Sequence, residues 1–215
     1  MHASLDPLVP SHRLPAFFLL VFALSTPFWL IGGATDLQLM PAVSLVVYGM
    51  MHWQDAPLPT AQFHLIFALF MFIAFYLEGL GEELSWSGYA LDPMQARWGA
   101  LGASVLLGLV GILWHLTPLL LMGRSPSWIA WWCLYALTFR VFTVWLYNNT
   151  GRSVFAAALF HATLNMAYVL FPVYGSHFNM RIASLVMAGA ALLVIVVWGP
   201  KTLSGYAAKG TEYPS

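Results

Sequence analysis

The stretch WGALGASVLLGLVGILWHLTPLLLMG, residues 98–123, decides the fold. It runs for 26 residues between Arg97 and Arg124 without one Asp, Glu, Lys or Arg. A helix rises about 1.5 Å per residue, so roughly 20 apolar residues cross the hydrocarbon of a bilayer. Charge-free runs of that order recur to either side. There are 22 residues between Arg13 and Asp36, 18 between Asp36 and Asp55, 22 between Asp55 and Glu78, 28 between Arg152 and Arg181, and 19 between Arg181 and Lys201. Of the 215 residues, 60% are hydrophobic and 7% charged. A soluble domain is about one quarter charged, and 7% leaves too little polar surface to face water all round. The pattern predicts an all-α, polytopic transmembrane helical bundle of about seven spans. They centre on 14–34, 37–52, 61–81, 100–122, 127–147, 153–172 and 179–199.

The expected organisation is an N-terminal segment 1–13, one transmembrane domain 14–199, and a loosely ordered polar C-terminal tail 200–215. The first apolar stretch is too long for the core of a signal peptide and no small-x-small cleavage pattern follows it, so it reads as a retained span. The second is short and interrupted by Pro41 and Gly49. Residues 84–99 mix Ser, Gly, Asp, Pro, Gln and Arg with aromatics. They read as a boundary stretch with a short interfacial helix around Pro93–Trp98. Most Trp, Tyr and Phe residues read as interfacial belts or lipid-facing packing. Cys133 is the single cysteine, so no intrachain disulfide forms. Zero formal net charge argues against a nucleic-acid partner; the bilayer is the expected surrounding.

Three places in and beside these apolar runs carry chemistry. Glu82 and Glu83 are adjacent carboxylates at the end of the third span, costly to ionise in hydrocarbon. Successive helical residues point about 100° apart, so one can face the bundle while the other faces elsewhere. Glu78 stands four residues before Glu82, on the same face; the alternative is that all three are solvated at the interface. His115 lies in the long run quoted above, with Pro118 within one turn, and is either a packing residue or a functional imidazole. His161 and Asn165 are spaced i, i+4, so both project from one helix face. Asn can fix an imidazole tautomer or donate to an oxyanion; the alternative is an interhelical polar clamp. A carboxylate that activates water, two imidazoles and an amide are the parts that amide hydrolysis needs. There is no H-E-x-x-H, no G-x-S-x-G, and no Asp inside a convincing span, so other intramembrane protease designs lack their residues.

In order along the chain, these residues resemble the motifs of the CPBP family of intramembrane proteases, also called the Abi or CAAX-protease-like family. The family motifs are E-E-x-x-x-R, then an aromatic or small residue followed by x-x-x-H, then H-x-x-x-N/D. Here they read Glu82-Glu83-Leu84-Ser85-Trp86-Ser87, Gly111-Ile112-Leu113-Trp114-His115 and His161-Ala162-Thr163-Leu164-Asn165. The flanks GYALDPMQARWGALGAS (88–104) and TVWLYNNTGRS (143–153) are similar as well, and the likeness spans residues 78–170. The resemblance implies an endopeptidase in a prokaryotic cell membrane that hydrolyses a peptide bond near the membrane surface. Its substrate would be a peptide or protein, prenylated in the CAAX case. By motif, Glu82 would be the general base, Glu83 its support, and His115, His161 and Asn165 the groups on the water or the oxyanion. Glu82, His115 and His161 would also be the ligands if zinc or another divalent metal were used; a metal-free glutamate mechanism is equally open. One position departs from the pattern, since Ser87 stands where the motif has arginine. Arg140, in YALTFRVFTVW (135–145), is the substitute cation. It either pairs with the acidic cluster or reaches the interface near Tyr147 and Asn148. The other functional reading is a non-catalytic membrane immunity or partner-binding protein on the same scaffold, and Ser87 is its main support.

Overall fold

The computed structural model describes residues 65–170 and 179–205, and Pro15. The expected spans 14–34 and 37–52 otherwise lie outside the described residues. The helices are α1 (Leu65–Glu83), a π-helical segment (Leu84–Leu91), α2 (Asp92–Leu121), α3 (Pro126–Asn149), α4 (Val154–Leu170) and α5 (Met180–Trp198). No strand occurs among the described residues, and the fold is an all-α bundle. Among the described residues three stretches are long and apolar enough to cross a membrane: Leu69–Leu121, Pro126–Asn149 and Met180–Trp198. The apolar helix around Val154–Tyr168 is shorter. Large apolar side chains face outward, Val196 being 80% exposed and Leu193 67%. That is how a helix meets lipid, and the chain is an integral membrane protein.

Residues 84–91 continue α1 through a π-helical segment to Asp92, and the short helix expected around Pro93–Trp98 is present as the stretch that ends at a break. A π turn holds more residues than an α turn and shifts the face presented beyond it. Trp86, Ser87, Ala90 and Leu91 are buried as a result. The break falls at Gly99, whose φ of 70° lies in the left-handed region that glycine tolerates. A helix that restarts there exposes backbone donors. They are satisfied by the segment after α5: Ala100 N donates to the Lys201 carbonyl at 2.9 Å and Leu101 N to that of Pro200 at 3.0 Å.

This corrects the expectation of a loose tail for residues 200–205. Leu203 and Ser204 are buried. Asn148 Nδ2 donates to the Thr202 carbonyl at 2.8 Å, and Asn149 Nδ2 donates to that of Leu203 at 2.8 Å. The main core gathers Trp86, Leu91, Leu107, Val144 and Tyr147 with Val194 and Leu203.

Small residues bring the helices together at the polar positions. α1 packs chiefly on α4, α2 on α3, and α3 on α5. A Cβ added at Gly79 would stand 3.3 Å from His161, so that glycine seats the imidazole of α4 against α1. A Cβ at Gly108 would stand 2.9 Å from Leu137 and 3.6 Å from the Cβ of Arg140, so α2 lies close beside the arginine of α3.

Candidate functional site

Glu82 and Glu83 are neighbours in sequence and opposites in surroundings. Glu83 is fully buried. Its Oε1 and Oε2 accept from Arg140 Nη1 at 3.1 and 3.0 Å, and Oε1 lies 3.1 Å from His161 Nδ1. Ser87 Oγ, four residues on, donates to Oε2. Arg140, 6% exposed, is thus an interior cation paired with a carboxylate and does not reach the interface. Ser87 and Arg140 meet on the same carboxylate, one from the motif's arginine position and the other from a different helix.

Glu82 is half-buried and accepts one long hydrogen bond, from Trp86 Nε1 at 3.4 Å. It faces a cavity of about 240 Å³ that Glu82 shares with His115, Arg140, His161 and Asn165. The walls are largely aromatic and aliphatic, with Trp86, Trp132, Phe139 and Leu164 among them. The five residues singled out by sequence therefore divide: Glu82, His115, His161 and Asn165 line one space, and Glu83 stands behind it.

Both imidazoles are oriented through Nδ1. A carbonyl or carboxylate oxygen only accepts, so His115 Nδ1 donates to the Gly111 carbonyl at 2.9 Å and His161 Nδ1 donates to Glu83. This leaves Nε2 of each as the nitrogen free for a cavity occupant. The His161 tautomer is set by Glu83, a role that the i, i+4 spacing had offered to Asn165. Rings hold the imidazoles in place. His115 lies against Trp114 and Trp132 at 4.5 and 5.4 Å between centroids, and His161 against Phe139 at 5.0 Å. Sequence reading assigned these aromatics to belts. An aromatic that packs on an imidazole has the same local signature as one that packs on lipid.

Among the described residues no group of three or more His, Cys, Asp or Glu side chains is placed to hold a metal ion, the set Glu82, His115 and His161 included.

A helical membrane protein with a polar cavity walled by apolar helices is the class that fold and site define. Residues 64–167 match the family model described as type II CAAX prenyl endopeptidase Rce1-like. A protein of Methanococcus maripaludis named CAAX prenyl protease 2 is 27% identical over 122 residues, which are 53% of this chain and 45% of the relative. The chain thus spans about half the length of the curated relative it matches. Residues 64–167 are thus similar to the CAAX-protease-like membrane endopeptidases.

Proposed function

We propose that the chain is an intramembrane endopeptidase that cleaves a peptide bond of a protein or peptide substrate, CAAX-type and prenylated, in a prokaryotic cell membrane. The observation that carries the reading is the shared cavity: Glu82, His115, His161 and Asn165, from α1, α2 and α4, line one space. The match of residues 64–167 to the family model and the name of the archaeal relative support the same class of reaction.

Glu82 is the carboxylate with capacity to spare, so it takes the proton of the attacking water. The water has two O–H bonds, so with one directed to Glu82 the other is left for a single imidazole Nε2, which in the tautomer with Nδ1 donating accepts it and holds the water against the scissile carbonyl. The Asn165 amide has N–H donors for the oxyanion that forms. Glu82 then passes its proton to the amine as the carbon–nitrogen bond breaks. Glu83 touches no substrate; with Arg140 and Ser87 it keeps His161 in one tautomer.

The test is cleavage of a CAAX-type peptide by the full chain in detergent or vesicles, with Glu82→Gln, His115→Ala and His161→Ala as variants. Each should lose cleavage while still inserting and folding. Wild-type rates in all three would end the hydrolase reading.

A further inference from the structure

The cavity holds a second arginine, Arg124, that the reaction above does not use. Its neighbours differ from those of Arg140. Arg140 spends its charge on Glu83. Arg124 Nη2 donates to the hydroxyl of Tyr168 at 2.9 Å, and its guanidinium stacks 4.7 Å from the Trp128 ring. Neither neighbour is an acid, and Nε is buried without a hydrogen-bond partner. A guanidinium has five N–H donors in a planar fork that matches a carboxylate. Arg124 therefore keeps both charge and donors available.

The backbone holds this arginine in position. Gly123, at φ 65°, ends α2 in the left-handed conformation. Arg124 N donates to the Leu119 carbonyl at 3.2 Å and Gly123 N to that of Leu120 at 3.0 Å, the paired bonds of a Schellman cap. The next residue, Ser125, caps α3, its hydroxyl accepting from Trp128 N at 3.3 Å. An arginine between two spans would ordinarily extend to the headgroups. This one is turned inward, onto α4 and the cavity.

We infer that Arg124 is the anion anchor of the cavity: it grips the free C-terminal carboxylate of the substrate and so sets which peptide bond lies against Glu82. The inference rests on the endopeptidase reading and adds to it the residue that recognises the chain end. The apolar walls suit apolar side chains between the anchor and the bond to be cut.

Binding tests it apart from turnover. Tryptophan fluorescence of the full chain, in the Glu82→Gln background, would follow two peptides identical except for a C-terminal carboxylate or amide. The acid should bind at least about tenfold tighter. Arg124→Gln should bring the ratio close to one, and Arg124→Lys, which keeps the charge without the fork, should restore part of it. Equal binding of acid and amide before Arg124 is changed overturns the anchor. A ratio that survives Arg124→Gln does so as well, as does an equal weakening of both peptides by that variant, which would mark a structural role. Cleavage of the acid peptide by the unmodified chain, measured alongside, tests the hydrolase separately. A tenfold preference without cleavage would keep the anchor and remove the endopeptidase.

Discussion

Two polar clusters among the described residues of this apolar bundle differ in what they leave open. The first joins α3 to the segment after α5. Asn148 exchanges hydrogen bonds with Gln95 at 2.7 and 3.2 Å and donates to Thr202. Asn149 donates to the Trp145 and Leu203 carbonyls and accepts from Gly205 N at 3.1 Å. Both amides use donors and acceptor alike, and the cluster faces protein. The second cluster, around Glu83, is as well satisfied at its centre. In front of that centre stand Glu82, two imidazole Nε2 atoms and Asn165, along a cavity. A satisfied polar network specifies structure; groups with capacity to spare, backed by a satisfied network, can act on a third molecule.

The sharpest way to break this comparison is Glu82→Gln. It should lower the cleavage rate by about 10²–10⁴-fold and leave the unfolding temperature unchanged, because Glu82 has one weak partner. A large fall in unfolding temperature would place Glu82 with the structural groups. The next effect is at the centre. Arg140→Ala leaves Glu83 buried without its cation and should cost about 3–5 kcal/mol of stability, read by denaturation in micelles. The double variant Arg140→Met with Glu83→Gln should recover most of that loss, though with His161 less well held its cleavage should stay low. In the first cluster, Asn148→Ala should cost about 1–3 kcal/mol by leaving buried partners unmet. Its cleavage rate per folded molecule should match the parent, and a loss of rate would show that the clusters are coupled. The smallest effect belongs to the rim. Asp92 and Arg152 pair at 3.3 Å with side chains 33% and 44% exposed, so Asp92→Asn should cost under about 1 kcal/mol.

Read from sequence, Glu82 and Glu83 differed only by rotation about a helix. Which one faces the cavity depends on α4 and α3 bringing His161 and Arg140 to one side. Arg140 shows the same limit. It stands 57 positions from Glu83 along the chain, and the sequence left open whether it pairs with that acid or extends to the interface. Arg124 entered only as the end of a charge-free run, because an arginine between two apolar runs is the usual mark of a loop.

What the sequence determined by itself was the solvent and the parts. Long charge-free runs force backbone groups to bond within each helix, which makes a membrane bundle independent of any contact between helices. Motif order named Glu82, Glu83, His115, His161 and Asn165 before any geometry was known. The tertiary structure decided what each part faces. It carried α1 through a π-helical segment where a boundary had been expected, tied residues 200–205 to the break at Gly99, and divided the glutamates into one paired with Arg140 and His161 and one that lines the cavity. The physical reason is that burial and pairing are relations between distant residues. Periodicity along one helix reports its own faces but not what lies against them.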